Sequence, residues 1–430
     1  MTTTNDKHWA QFFKNSNALA EIQTAGFAYI TADELKAAGG REPRLMAKID
    51  SLSNRPKAFQ EHEINILPVQ NGRYILFKDS QNSSFYQFET SEENRQVEEY
   101  VSNKDLQAFD SFPANRSFSE SQAIDFANIA SLLTSYSQEE NLQLTVRGRL
   151  YSGEFSFELP ESKHLVEVAN VQIEVDAGYE TTDSLLLLEA KIGRRDNFKL
   201  WYPWMQWSQR TVKKIRPIFF SYSNGQYLFT EFKFDTIFGS AEVVDNRVFT
   251  INESAIAYLN LQQILADSQP GIQIQTYTIP QANDLDKVVD LIQLVSNGQN
   301  SKLKIAECFE FDERQADYYA NAAGYLGLVE RPETGQQSEF QLTSFGKQFL
   351  VLKLRAQRTK ALVEQMATDP FLREVFQSLI SNNFIEAQVS AQEIASLIEK
   401  HSSLTGTTPM RRASTIKNWL RWLIRNAKFS

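Results

Sequence analysis

Residues 171–209 limit the possible folds more than any other part of the chain. They read Val-Gln-Ile-Glu-Val-Asp-Ala-Gly-Tyr-Glu, a short polar turn at 181–183, Leu-Leu-Leu-Leu-Glu-Ala-Lys-Ile-Gly, then a run of arginines and tryptophans. Two apolar segments of strand length around a polar turn predict a β-hairpin. Side chains alternate along a strand. On the first segment Ile173 and Val175 share one face, and Glu174 and Asp176 the other. On the second, Leu186, Leu188 and Ala190 lie opposite Glu189 and Lys191. The hairpin thus gathers a carboxylate from one strand and a Glu-x-Lys pair from the next. Such a pair in an otherwise apolar strand is costly to bury without a partner. A divalent cation would offset that cost. Two carboxylate ligands suit Mg²⁺, which keeps several waters and takes the rest of its shell from substrate phosphate. Asp176 and its same-face neighbour Glu174 are both open as first ligand. A surface hairpin with a solvated charged edge has the same spacing, so the flanking sequence has to decide.

The carriers Asp176, Glu189, Ala190 and Lys191 resemble the motif of the PD-(D/E)XK nuclease superfamily. The resemblance implies that Asp176 and Glu189 hold Mg²⁺ and that Lys191 positions or activates the attacking water. It also implies a core ordered as a helix, three or four strands and a helix. A capping box, Ser119-Glu-Ser-Gln122, opens a helix carrying Phe126, Ile129, Ala130 and Leu133 at apolar spacing. Strand formers follow at 142–150 and 154–159, then the hairpin. In the superfamily that first helix often adds an acidic residue, and Glu120 stands where it would be. As a first-turn glutamate, Glu120 also suits the helix dipole alone.

A chain of 430 residues is long enough for two or three domains. No apolar run approaches a membrane span, and the N-terminus lacks a signal-peptide core. One cysteine, Cys308, rules out an internal disulfide and a thiolate zinc cluster, and four histidines leave little for a histidine-rich site. The expected location is the cytoplasm. A net charge of −9 argues against a non-specific nucleic-acid coat, but a DNA enzyme depends on where its basic residues lie. No P-loop is visible, so no ATP dependence is expected.

Residues 1–79 read as a winged-helix-like DNA-binding domain. A first helix runs to Gly26. Thr31 and Glu34 form a capping box, a third helix spans 41–50, and Asn71-Gly72 marks a hairpin. The third helix would present Arg41, Arg44 and Lys48 to the major groove. Residues 80–111 read as an acidic connector with an edge strand near 84–88, and 112–282 as the nuclease core. After Lys191 the chain is strongly basic, with Arg194, Arg195 and Lys199 among Phe198, Trp201, Trp204 and Trp207. Basic residues mixed with aromatics suit a phosphate-tracking surface. The tryptophans recur every three residues on a helix starting near Pro203, and read as core. Strands follow around Asn224-Gly225 and at 242–251, then a helix at 256–266.

The segment at 41–50 with Ile66-Leu-Pro-Val69 is similar to the N-terminal region of a group of bacterial type II restriction endonucleases. In that group the Glu-x-Lys strand precedes a segment resembling Gln-Leu-Tyr-Tyr-Pro-Tyr-Arg; here it is Lys199-Leu-Trp-Tyr-Pro-Trp-Met205. Lys199 replaces the glutamine and Met205 the arginine, with Gln206 next in line as a substitute. Residues 283–350 read as a second winged helix, with Arg314 and Gln315 on its recognition helix, where Glu313 and Asp317 dilute the charge. Residues 351–430 read as a helical, basic DNA-binding domain. There Arg411 and Arg412 open a helix that could hold one phosphate, and Lys417 and Arg421 lie on another of its faces.

The expected fold is therefore α/β (α+β), a PD-(D/E)XK restriction-endonuclease-like core with flanking winged-helix domains. The expected function is Mg²⁺-dependent, site-specific double-strand cleavage of DNA. Cutting both strands would need a homodimer, at least transiently, and the resemblance to restriction endonucleases implies a cognate methyltransferase that protects host DNA. A modification-dependent or nicking endonuclease, and a DNA-binding regulator with an inactive core, are the alternatives.

Overall fold

A computed structural model of the chain describes residues 4–39, 41–47, 49, 52, 55–84, 96–112, 118–193, 200–253, 256–269, 278–309, 313–332 and 339–430. The architecture is mixed α+β. The first unit contains α1 (Thr4–Asn15), α2 (Ala18–Ala25), β1 (Phe27–Thr31), α3 (Ala32–Gly39), α4 (Pro43–Ala47), α5 (Lys57–Glu61), β2 (Ile64–Gln70) and β3 (Arg73–Lys78). Its strands form an antiparallel sheet in the order β1-β3-β2. Trp9, Phe12, Met46, Phe59 and Leu76 fill its core. Trp9 Nε1 donates to the Met46 carbonyl at 3.1 Å, satisfying the one polar atom of a buried ring. The Thr31 capping box forms: the Thr31 amide donates to Glu34 at 2.6 Å and the Glu34 amide to Thr31 Oγ1 at 3.2 Å. Two expectations change. The first helix breaks at Ser16-Asn17. The helix expected over 41–50 is α4, one turn opened by Pro43, so Arg41 precedes it; Lys48 lies outside the described residues.

The second unit contains β4 (Val97–Tyr100), α6 (Glu120–Ile129), α7 (Leu132–Ser137), β5 (Gln143–Tyr151), β6 (Phe155–Glu158), β7 (Leu165–Val168), β8 (Gln172–Glu180), β9 (Ser184–Ile192), α8 (Trp201–Ser208), β10 (Lys214–Ser223), β11 (Gln226–Lys233) and β12 (Glu242–Ile251). Seven strands make one sheet in the order β4-β12-β11-β10-β9-β8-β5. β9 and β10 are parallel, so the chain crosses over through the segment containing α8, whereas β8-β9 and β10-β11 are antiparallel hairpins. Residues 80–111 are thus not only a connector, because β4 closes the sheet edge beside β12; most of the edge strand expected at 84–88 lies outside the described residues. The central β9 is buried on both faces, as a strand covered by helices on each side must be. Leu186, Leu188 and Ala190 pack with α6 and α7, and Leu185 and Leu187 with Trp201, Tyr202 and Met205 of α8. The second of these cores also takes in Val69, Ile75 and Phe77 of the first unit. Tyr202 Oη donates to the Pro68 carbonyl at 2.9 Å across that junction.

The third unit contains β13 (Ala257–Leu259), α9 (Leu261–Asp267), α10 (Leu285–Ser296), α11 (Lys302–Phe309), α12 (Glu313–Tyr325), β14 (Val329–Glu330), β15 (Gln341–Leu342), α13 (Ser344–Leu350), α14 (Arg355–Met366), α15 (Pro370–Ser381), α16 (Ala391–His401), α17 (Thr408–Asn426) and β16 (Ala427–Phe429). One core runs through all of it, so no break in packing separates 283–350 from 351–430. The helix expected at 256–266 splits. β13 pairs in parallel with β16, and α9 starts only after Asn260, whose side chain accepts from the Gln263 amide at 2.9 Å. Among the described residues no helix is long and apolar enough to cross a membrane.

Candidate functional site

The hairpin β8-β9 turns at 181–183 as its residues require, but β8 is not a uniform strand. Against β5 the register runs Gly148↔Val175 and then Val146↔Gly178, three steps on β8 for two on β5. Asp176 and Ala177 occupy this bulge. An extra residue reverses the faces that follow it. Ile173 and Val175 pack toward α8, whereas Ala177 and Tyr179 pack toward α6, although all four are odd-numbered. The bulge separates the two candidate carboxylates. Glu174 is exposed and faces Arg149 at 3.6 Å. Asp176 is half-buried, and its Oδ2 accepts the Ala190 amide at 2.7 Å. The β8-β9 ladder ends at Ala177↔Leu188, while β9 continues beside β10 to Ile192. Asp176 therefore caps the fork where the strands part.

Glu189 and Lys191 lie in that fork, with side chains 7% and 8% exposed. Lys191 Nζ is 2.9 Å from Glu189 Oε1 and 3.7 Å from Glu120 Oε1, and it donates to the Ala190 carbonyl at 2.7 Å. Glu120 sits in the first turn of α6, set by the Ser119–Gln122 capping box. Burial opposes a charged Lys191, but Glu189, Glu120 and Asp176 outweigh it and hold the ammonium above its ordinary range. Burial raises Asp176, and Lys191 and the Ala190 amide resist the rise. The site thus presents a fixed cation among carboxylates. Among the described residues no three acidic, histidine or cysteine side chains stand ready as a metal cage.

The pattern of residues did not reveal Arg147. It follows Val146 on β5 and clamps Asp125 of α6 at 2.5 and 3.1 Å. The Asp125 hydrogen bond raises its pKa, with Tyr179 and Asp176 adding to the effect. Its only trace in the sequence was a cation in the strand segment Thr-Val-Arg-Gly-Arg.

The other candidates scatter. Arg41 donates to Asn5 at 2.6 Å, and Arg44 is exposed on α4. Arg194, Arg195 and Lys199 lie outside the described residues. Gln206 is buried, and its Oε1 accepts the Gly153 amide at 2.7 Å. Trp201 is core, and Trp204 and Trp207 pack against it half-buried. Lys417 and Arg421 both stand 3.2 Å from Glu386, which offsets one of their two charges. The sequence showed no acid after Glu399; this one arrives from an upstream turn. Arg314 and Gln315 are exposed on α12, and Arg411 and Arg412 lie in the first turns of α17.

Three family models match the chain, each described as a domain of unknown function: DUF6996 over residues 6–76, DUF6997 over 80–250 and DUF7226 over 287–428. No curated protein and no solved structure matches it. Glu120, Asp176, Glu189 and Lys191 all fall within the second match.

Proposed function

We propose that this chain is a Mg²⁺-dependent DNA endonuclease of the PD-(D/E)XK type, acting as a type II restriction enzyme with winged-helix-like modules on both sides of its core. One observation carries the reading: Asp176, Glu189 and Lys191 converge where β8 leaves β9. The donor set fits Mg²⁺. Asp176 and Glu189 supply two hard oxygens, and a two-ligand site leaves positions for water and phosphate. When bound, the metal would supply Lewis-acid polarisation of phosphate and an acidified water.

The chain's own residues set the remaining conditions. Asp176 is oriented by the Ala190 amide, which fixes one oxygen and leaves the other. Lys191 stands between Glu189 and Glu120 and donates to the Ala190 carbonyl, which sets its Nζ in the fork as a hydrogen-bond donor. It would place positive charge beside the phosphate oxygens as negative charge develops there. Glu120 keeps Lys191 at the mouth of the fork. Cutting both strands needs two such sites, which favours a dimer. A methyltransferase of matching specificity belongs to the same proposal.

Purified protein incubated with plasmid DNA, with and without Mg²⁺, tests it. Discrete fragments should appear only with Mg²⁺. Glu189→Gln should lower cleavage on the order of 10²-fold or more, and Lys191→Met similarly. Full cleavage by Glu189→Gln would place the active site elsewhere. The direct contact of Glu189 with Lys191 at 2.9 Å favours one second reading, a DNA-binding regulator in which the two are a structural pair. Tight DNA binding without cutting under every condition would select it.

A further inference from the structure

α6 carries Glu120 to the fork, and one ion pair ties that helix to the edge of the sheet. The helix packs through Ala123, Ile124, Phe126 and Ala127, in the core that also holds Leu186, Leu188 and Ala190 of β9. Apolar burial is non-directional, so it fixes how deep a helix lies better than its position along its own axis. Arg147 supplies the direction. Its neighbour Val146 packs on the α8 side of the sheet, which by alternation turns Arg147 toward α6. There its Nη2 and Nη1 donate to the two carboxylate oxygens of Asp125 at 2.5 and 3.1 Å. A guanidinium bound to both oxygens of one carboxylate fixes orientation as well as distance. Arg147 also stands between the pairs Val146↔Gly178 and Gly148↔Val175, opposite the bulge that holds Asp176 and Ala177. Gly148, next along, has a left-handed backbone that a side chain would strain, so both strands leave the regular pleat at this level. The side chains of Arg147 and Asp125 are 34% and 35% exposed, and a pair so exposed adds little to stability. What it supplies is position.

We propose that Arg147 is a positioning residue for the cleavage reaction: clasped to Asp125, it fixes α6 along its axis against the bulged edge, and so sets Glu120 against Lys191 at the fork that Asp176 caps. The contact it governs is easily lost. Glu120 Oε1 lies 3.7 Å from Lys191 Nζ, near the outer limit of an ion pair, whereas Glu189 lies at 2.9 Å. Asp125 follows Glu120 by five residues on one continuous helix, a rise of about 7.5 Å, so a shift at one reaches the other. A shift of about 1 Å would part Glu120 from the lysine while the apolar face of α6 stayed buried. Misplacement of that size can cost on the order of 10²-fold in rate. The pull of Lys191 on Glu189, one of the two proposed Mg²⁺ ligands, would no longer be shared with Glu120. The proposal rests on the reading that this fork is the nuclease site.

Cleavage kinetics of the full-length protein on supercoiled plasmid test it. Arg147→Met and Asp125→Asn should each lower kcat by on the order of 10- to 100-fold, with KM for the plasmid and Tm unchanged. Reversing the pair, Arg147→Asp with Asp125→Arg, should recover activity that either reversal alone loses. Arg149→Met, on the same face of β5, should cleave as wild type. Fluorescence anisotropy with a labelled duplex in chelator gives a readout without chemistry. There Arg147→Met should keep the affinity of wild type and its dependence on salt. A slope of log affinity against log salt reduced by about 1 would make Arg147 a phosphate ligand and overturn the positioning role. Wild-type kcat in both single variants would also overturn it, and with Glu189→Gln inactive in the same assay the nuclease reading would stand. Activity lost only in step with a lowered Tm would leave the pair a stability element and overturn it too. A wild-type protein that cuts under no condition would overturn both readings.

Discussion

Two buried acidic residues are handled in opposite ways. Glu189 is balanced by Lys191 at 2.9 Å. Among the described residues no cation stands against Asp290 of α10. It is 1% exposed, accepts from Ser223 Oγ at 2.5 Å and the Asn224 amide at 3.0 Å, and has Asp286 and Asp284 as acidic neighbours. Burial pushes its carboxyl up from 3.8 to about 7, with Asp286 adding to the rise and Ser223 opposing it. The folded protein therefore binds this proton more tightly than the unfolded chain. The associated stability is complete below about pH 4, declines as pH rises, and is gone above about pH 7. Asp290→Asn keeps an acceptor for the Asn224 amide and cannot ionise. Across that window, thermal unfolding should show wild type losing Tm relative to Asp290→Asn as pH rises. Parallel curves for the two proteins would mean that Asp290 is ionised in the fold throughout.

Whole elements follow local chemistry wherever the chain signals it locally. The hairpin turn at 181–183, the caps at Thr31 and Ser119, and the Asn-Gly turns at 71–72 and 224–225 all stand where their residues place them. β12 spans Glu242–Ile251, the same residues its strand formers mark out. What could not be read was set by a partner distant in sequence. β4 is Val-Glu-Glu-Tyr, acidic enough to look like linker, and becomes a strand because β12 offers an edge. The bulge at Asp176 was invisible for a related reason. A period of two predicts faces only while the ladder is unbroken, and the extra residue on β8 shows only in its pairing with β5. Its consequence is that the site's first carboxylate depends on close packing nearby. A Cβ on Gly178 would stand 2.6 Å from Val146 Cβ and 3.2 Å from its Cγ2. Gly178→Ala should cost about 1–3 kcal/mol of stability, read from the urea midpoint. It should also lower Mg²⁺-dependent cleavage beyond what the stability loss explains, by moving Asp176. Val146→Ala should not rescue it, because the clashing Cβ remains. Unchanged cleavage by a folded Gly178→Ala would show that the bulge does not set Asp176.

At the scale of the molecule, the third unit grips the sheet at one turn. Asn224-Gly225 joins β10 to β11, and Arg355 of α14 donates to the Asn224 carbonyl at 2.7 Å. Arg358 holds the Asn224 side chain at 2.7 Å, and Asp286 accepts from its amide group at 2.8 Å. Arg355 is 1% exposed and pairs with Asp286 at 2.9 Å, while its own backbone amide is taken by Glu253 at 2.6 Å. Burial opposes a charged Asp286, but Arg355 and the Asn224 amide group overcome it and depress its pKa. The same junction reaches the site's strand: a Cβ on Gly193, two residues past Lys191, would meet Phe309 at 3.0 Å and Asp290 at 3.1 Å. Neither side of this contact is independent. Removing the buried Arg355 leaves the partly buried Asp286 carboxylate without its cation and the Asn224 carbonyl without its donor. Arg355→Ala should therefore cost about 3–5 kcal/mol. The loss should appear first as faster amide exchange in the Asn224-Gly225 turn and at the start of α10, with the core of the first unit still protected. If exchange instead rose uniformly across all three units, the chain would unfold as one cooperative block. If Arg355→Ala matched wild type, the buried pair would be no more than a neutral replacement for apolar contact, and the coupling between the helical unit and the strand bearing Glu189 and Lys191 would have to run through the apolar packing at Phe309.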